Sequence, residues 1–240
     1  MVSGQRGMDP DVSIQNLLRF RRACRDDQAN FRNASQANAF LTLTDMRKDV
    51  ILVLPTGSGK SFLAFVSSLL DPNQVTIYVA PFRPLMNDLK DRCDKMGIPY
   101  THYVSNVTPD WKGLVLVSAE MVVSDEFVVA VNALATQGRI KNFIIDECHT
   151  FISQRHFRDK MELIDRITLN ASIRVIAMSA TVSFNDVKLL SSYLGRQFLI
   201  QRESADRKDI KFTVEKVPNH KTGQNRFETC IARMISILEE

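Results

Sequence analysis

The stretch LPTGSGKSF, residues 54–62, combines residue types that suit the binding of a triphosphate. Its glycines allow backbone amides to turn inward around phosphate oxygens, and a helix that follows adds the positive end of its dipole. Lys60 can reach the β- and γ-phosphates, and the hydroxyl of Ser61 can hold Mg²⁺. Leu54 departs from the general pattern GxxxxGK[ST], which begins with glycine. The alternative is a glycine–serine turn that happens to precede a lysine. We predict a nucleotide-binding loop made of Pro55, Thr56, Gly57, Ser58, Gly59, Lys60 and Ser61.

Two adjacent acids, Asp146 and Glu147, follow the apolar run at residues 143–145. In a parallel sheet, an acid at the end of a strand places its carboxylate opposite a phosphate-binding loop. Asp146 can there bind Mg²⁺ through water, and Glu147 can orient the water that attacks the γ-phosphate. Taken alone, such a pair is also typical of a solvated edge or a helix cap. The loop upstream favours the catalytic interpretation, with Glu147 as the general base.

A regular alternation of short apolar runs and helical patterns must position these groups. The helical patterns between the runs carry apolar stripes, for example at residues 62–70 and 82–96. Continuous apolar strands separated by helices predict an α/β fold with a mainly parallel sheet covered by helices on both faces. The predicted strands are VILVL at 50–54, VTIYVA at 75–80, LVLVS at 114–118, FIID at 143–146 and RVIAMS at 174–179.

Composition narrows the class of protein. The chain has 240 residues with 45% hydrophobic content, enough for one sizeable core, and its net charge of +4 tolerates a polyanionic partner without requiring one. Its four cysteines are scattered without metal-ligand spacing, so we expect reduced thiols in an intracellular protein. No apolar stretch approaches the roughly 20 residues that span a bilayer, and the N-terminus lacks the apolar core of a signal peptide. We therefore expect no membrane association and no secretion.

Four ordered motifs resemble those of the superfamily 2 DExH-box helicases. LPTGSGKS is similar to their motif I, APFRPLMNDL to motif Ia, DECH to motif II, and Ser179-Ala180-Thr181 to motif III, and the resemblance covers roughly residues 30–217. Within that superfamily the chain resembles RecQ-like DNA helicases, including the fungal subtelomeric branch, through Leu54-Pro55, ISQRHFR at 152–158 and ESADRKDIKF at 203–212. The resemblance implies a RecA-like P-loop NTPase lobe that uses ATP and Mg²⁺.

The resemblance also implies roles for residues outside the loop and the acids. FRNASQ, residues 31–36, is similar to the family motif that frames adenine, with one extra residue before the glutamine. Arg32 is thus expected to stack on the base and Gln36 to read its edge, the alternative being a helix cap around Ser35. In RecQ proteins an aromatic-rich loop after motif II senses single-stranded DNA, but here it lacks the usual tryptophan and glycine. The residues implied in nucleic-acid contact or in coupling are Arg83, Ser118, His149, Gln154, Arg155, His156, Phe157, Arg158, Ser179 and Thr181.

The expected organisation has three parts: an N-terminal extension at residues 1–28, the ATP-binding lobe at 29–202, and at 203–240 a linker with the first helix of a second lobe that is otherwise absent from this chain. By resemblance the partner is single-stranded or partly duplex DNA, translocation runs from 3′ to 5′, and the location is the nucleus. An RNA helicase lobe is one alternative, because DECH also occurs in RNA-directed members. A non-catalytic module that binds nucleotide or a partner through its terminal helix, Phe227 to Leu238, is the other.

Overall fold

Residues 10–45, 47–105, 110–153 and 164–204 are described by the structure, a computed structural model of the chain. Within them the centre is a seven-stranded sheet in the order β3-β4-β2-β5-β6-β1-β7. All pairings between its neighbouring strands are parallel. The strands are β1 Val50–Val53, β2 Val75–Ala80, β3 Tyr100–His102, β4 Gly113–Ser118, β5 Ile140–Ile145, β6 Val175–Ser179 and β7 Leu199–Arg202.

Helices connect these strands. They are α1 Pro10–Cys24, α2 Ala34–Asp45, α3 Lys60–Ser68, α4 Arg83–Lys95, α5 Asp125–Thr136, α6 Thr150–Ser153, a helical segment α7 at 164–168, and α8 Phe184–Tyr193. In this part of the chain no helix is both long enough and apolar enough to cross a membrane.

Side chains that alternate along the strands divide the core into two layers, one on each face of the sheet. In β1, Ile51 packs into one layer and Leu52 into the other. The first layer is closed mainly by α5 and α8, and the second by α1, α2, α3 and α4. The predicted parallel sheet with helices on both faces is therefore confirmed, and the five predicted strands occupy five of the positions found.

The first helix, α1, packs against the lobe. Phe20 is buried, with its ring centroid 4.3 Å from that of Phe31 and 5.2 Å from that of Phe40. Asn16 Nδ2 donates a hydrogen bond of 3.0 Å to Ala37 O in α2. Although residues 1–28 were expected to form an extension, their described portion thus contributes to the core on one face of the sheet.

The chain divides into two compact units, Met1–Ala205 and Asp206–Glu240. The second unit lies outside the described residues. The predicted terminal helix at 227–238 lies there too, so it stays a prediction.

Candidate nucleotide site

The glycine-rich loop connects the end of β1 to the first turn of α3, as the sequence predicted. Gly57 and Gly59 have φ angles of 76° and 84°, a region that strains any residue with a Cβ atom. Gly59 occupies the N-cap position of α3, and no side chain caps that helix. The first amide groups of α3 therefore remain available to donate hydrogen bonds to an anion.

Lys60 lies inside the loop, with only 8% of its surface exposed. Its Nζ donates hydrogen bonds to Leu54 O at 2.9 Å and Pro55 O at 3.3 Å. Burial lowers the pKa of Lys60, while the nearby carboxylates of Glu147 and Asp146 act in the opposite direction. The ammonium group is thus held by carbonyl oxygens of the loop itself, beside two acids.

Asp146 lies directly after β5, where it is 8% exposed. Its Oδ2 accepts a hydrogen bond of 2.5 Å from Tyr78 Oη, and its Oδ1 accepts one of 3.0 Å from Glu147 N. Burial raises the pKa of the Asp146 carboxyl, and the bond from Tyr78 partly offsets this effect. Tyr78 Oη is also 3.0 Å from Ser61 Oγ. The two predicted metal ligands therefore converge on one phenol, and both are oxygen donors of the kind that Mg²⁺ prefers.

Glu147 begins a series of polar contacts that leads from the two acids to the end of β6. Its φ angle is 46°, an uncommon conformation for a residue other than glycine, and its Oε2 lies 3.1 Å from His149 Nδ1. The same ring nitrogen is 2.9 Å from Ser179 Oγ, which also accepts a hydrogen bond of 3.1 Å from Thr181 N. Glu147, His149, Ser179 and Thr181 thus form one continuous polar chain.

A cleft of about 500 Å³ brings the predicted residues together. It is lined by Lys60 and Ser61 on one side and by Asp146 and Glu147 on another. Two residues that sequence reasoning missed, Arg92 and Lys95 in the last turn of α4, also line it. Their spacing of three residues, which puts both on one helix face, was the available signal. The cleft therefore presents amide groups, cations and carboxylates to a polyanion with a bound metal.

Arg32 and Gln36 lie against the loop, which is consistent with a place beside a bound base. Gln36 Nε2 donates to Ser58 O at 3.3 Å, Gln36 Oε1 accepts from Arg32 N at 2.8 Å, and Arg32 Nη1 donates to Gly57 O at 3.5 Å. Both side chains line a neighbouring cavity of about 470 Å³, together with Phe20 and Cys24 from α1. The contribution of α1 was not predicted, because residues 1–28 were expected to be an extension outside the ATP-binding lobe. Recognition of adenine there stays a prediction.

Among the remaining predicted residues, Ser118 is described in full and lies apart from the cleft. Ser118 is buried at the end of β4 and lines a separate cavity of about 450 Å³ with Met86, His102 and neighbouring residues. Arg83 begins α4. Gln154, Arg155, His156, Phe157 and Arg158 lie outside the described residues, so their role in coupling stays a prediction.

Comparison with known proteins identifies the family. Residues 33–190, more than half of the chain, match the family model described as DEAD/DEAH box helicase. The chain belongs to this family. The described lobe is accordingly the ATP-binding domain of a helicase, and the predicted RecA-like architecture agrees with that assignment.

Similar proteins span several groups of helicases. Putative helicase 7 of Sulfolobus islandicus filamentous virus (isolate Iceland/Hveragerdi) is 26% identical over 182 residues, which cover 70% of this chain and 28% of that protein. The ATP-dependent helicase SGS1 of Saccharomyces cerevisiae (strain ATCC 204508 / S288c) is 26% identical over 204 residues, covering 77% and 14%. The chain thus spans less than a third of the length of these relatives.

Solved structures support the fold. The crystal structure of the DUF1998 helicase MrfA bound to DNA and AMPPNP superposes with a TM-score of 0.59 at 21% identity. The match covers 77% of this chain and 29% of that one. The described sheet and its helices therefore share the architecture of a helicase lobe.

Proposed function

We propose that the chain is the ATP-binding motor lobe of a RecQ-like, ATP-dependent DNA helicase. In this proposal ATP hydrolysis drives translocation along single-stranded DNA from 3′ to 5′ and unwinding of duplex DNA in the nucleus. The family assignment supports helicase chemistry, while the RecQ-like branch rests on the sequence motifs and on the similarity to SGS1.

One observation carries the proposal: the cleft holds the four groups that phosphoryl transfer to water requires. Lys60 would contact the β- and γ-phosphates once its bonds to the loop carbonyls are exchanged for phosphate oxygens. Ser61 and Asp146 would hold Mg²⁺, which neutralises charge on the phosphates when bound. Glu147 lies next to Asp146, and its Oε2 is 3.1 Å from His149 Nδ1, which supports a role as general base on the attacking water.

The polar chain from Glu147 through His149 to Ser179 supports coupling to nucleic acid. A change at Glu147 when phosphate binds or leaves would shift the hydrogen bonds of His149 and Ser179, and with them the backbone at Thr181. The DNA-bound state of MrfA supports a nucleic acid as the polyanion. The small net charge of +4 agrees with contacts to the backbone of the nucleic acid that do not depend on sequence.

A second RecA-like lobe is part of the proposal, because helicases of this superfamily close two lobes on one ATP. An arginine finger supplied by such a lobe contributes on the order of 10³ to 10⁵ in rate in related phosphoryl transfers. We therefore expect the 240-residue chain alone to bind ATP and Mg²⁺ weakly, to hydrolyse ATP slowly, and to show no processive unwinding.

Nucleotide binding and ATP hydrolysis by the purified chain test the proposal. We expect binding of AMPPNP that Mg²⁺ strengthens and that is weakened in Lys60→Ala. We also expect slow ATP hydrolysis that single-stranded DNA stimulates more than RNA of the same length. Preferential stimulation by RNA would instead favour an RNA helicase lobe. Full activity of Lys60→Ala would contradict a motor, and robust strand separation by this chain would contradict the need for a second lobe.

A further inference from the structure

Tyr78 places a phenolic hydroxyl beside the proposed metal site, in contact with both proposed ligands. It lies on β2, which pairs with β5 so that Tyr78 is opposite Ile144, two residues before Asp146. The side chain is fully buried, and its ring packs at 5.1 Å against Phe65 in an edge-on arrangement. A buried tyrosine hydroxyl is normally hydrogen-bonded, and the partners that it finds here are Asp146 and Ser61.

The directions of these two bonds follow from counting protons. Tyr78 carries a single hydroxyl proton, and an ionised carboxylate can only accept, so this proton goes to Asp146 Oδ2 at 2.5 Å. The contact at 3.0 Å between Tyr78 Oη and Ser61 Oγ is then donated by the serine. The hydroxyl proton of Ser61 thus points to Tyr78. The lone pairs of Ser61 Oγ then remain free to bind a cation in the cleft.

We infer that Tyr78 is a positioning residue for Mg²⁺, acting through Ser61 and Asp146 without touching metal or nucleotide. The inference rests on the proposed function, since it presumes that the cleft takes a nucleotide with Mg²⁺. One phenol fixes both the rotation of the serine hydroxyl and the orientation of the carboxylate. Partners of this outer-shell type typically account for about 10- to 100-fold in metal affinity.

The test replaces Tyr78 with phenylalanine in the 240-residue chain, which keeps the ring that packs on Phe65. The fluorescent analogue mant-AMPPNP reports nucleotide binding while Mg²⁺ is titrated, and Mn²⁺ followed by electron paramagnetic resonance reports metal binding directly. For Tyr78→Phe we expect the concentration of Mg²⁺ or Mn²⁺ at half-saturation to rise about 10- to 100-fold. Binding of mant-AMPPNP without metal should not change.

Tyr103→Phe is the matched control. Tyr103 is also buried, and its ring packs edge-on at 5.6 Å against Trp111, but its hydroxyl has no hydrogen-bond partner among the described residues. Its titration curves should match those of the unmodified chain. In an Asp146→Asn background the further change Tyr78→Phe should have a smaller effect on the metal than in the unmodified chain, because only the route through Ser61 remains.

Four results would overturn the inference. Metal titrations of Tyr78→Phe that match those of Tyr103→Phe would show that the hydroxyl does not position the site. Equal losses with and without metal, or failure of Tyr78→Phe to fold in a thermal melt, would assign the hydroxyl a purely structural role. If the unmodified chain bound mant-AMPPNP under none of these conditions, the proposed function would fall together with the inference.

Discussion

Replacing Lys60 with methionine isolates the charge of the loop lysine from its packing. Methionine keeps an unbranched apolar stem in a site where only 8% of the residue is exposed, but it removes the ammonium group. If Lys60 exchanges the carbonyls of Leu54 and Pro55 for phosphate oxygens, the variant should lose nucleotide affinity much more than stability.

The size of the effect follows from the contacts. A hydrogen bond to a charged group contributes about 1.5 to 3 kcal/mol, and about 1.4 kcal/mol corresponds to a tenfold change in Kd. The Kd for AMPPNP with Mg²⁺ should therefore rise about 10- to 150-fold. In the free chain the variant has two opposite effects on stability. It loses the hydrogen bond to the buried Leu54 carbonyl, which destabilises the fold, but it no longer buries a charged ammonium group, which stabilises the fold. We expect these two effects to leave the free energy of unfolding within about 1 kcal/mol of its original value.

Calorimetric titration with AMPPNP, paired with urea unfolding of the free chain, measures both quantities. Lys141→Met is the matched control, because the Lys141 side chain is 12% exposed and pairs with Asp71 away from the cleft. Its nucleotide affinity should not change. Equal Kd values for Lys60→Met and the unmodified chain, or an equal loss in Lys141→Met, would refute the assignment of Lys60 to the phosphates.

Four further substitutions probe the base, the loop and a helix cap. Glu147→Gln should keep AMPPNP affinity while basal ATP hydrolysis falls about 10²- to 10⁴-fold, as for a general base; undiminished hydrolysis in a phosphate-release assay would exclude that role. Gly57→Ala and Gly138→Ala both place a Cβ at positive φ in open space, so each should cost about 1 to 2 kcal/mol in urea unfolding, but only Gly57→Ala should weaken nucleotide binding. Asp186→Asn should cost about 0.3 to 1 kcal/mol at neutral pH, since Asp186 lies at the start of α8. Hydrogen bonds from Ser183 hold the pKa of Asp186 below its ordinary value. The stabilisation from the ionised carboxylate is therefore complete above the unfolded-state pKa and is lost at lower pH. Thermal melts of the unmodified chain and of Asp186→Asn should converge as the pH falls below about 4.

The elements that carry the site could be predicted because they are buried on both faces of the sheet. β1, β2 and β6 are buried along their whole length, so each appears in the sequence as a continuous apolar run. The loop after β1 and the acids after β5 then stand at the carboxyl ends of parallel strands. Since those ends meet at one edge of the sheet, their convergence followed from the pattern alone.

The edge strands could not be predicted for the opposite reason. β3 has three half-buried residues, and β7 has four residues that are mostly exposed, so neither shows an apolar run or a strict alternation. α1 was misjudged because its helical pattern is weak, although Phe20 and Ala23 are buried. Side-chain periodicity reports burial only where a whole face is apolar, and α1 contributes only a few buried residues between exposed ones.

Tyr78 was missed for a different physical reason. Within VTIYVA a tyrosine is an ordinary strand residue, since aromatic side chains are favoured in sheets. Its contact with Asp146 depends on strand order: β2 lies beside β5 in space although α4, β3, β4 and α5 separate them along the chain. Such a contact depends on which strands are neighbours in the sheet, and a single sequence does not reveal that order.

The electrostatics of the cleft explain why these groups would exchange partners on binding. Burial disfavours both charges, lowering the pKa of Lys60 and raising that of Asp146, and their mutual attraction offsets this only in part. A triphosphate would supply anionic oxygens to the ammonium, and Mg²⁺ would supply positive charge to the carboxylate. Each ligand therefore relieves the burial cost of the residue that it meets. Because the metal would also neutralise charge on the phosphates, nucleotide and metal should bind cooperatively, and Tyr78 keeps the carboxylate oriented for the metal until both arrive.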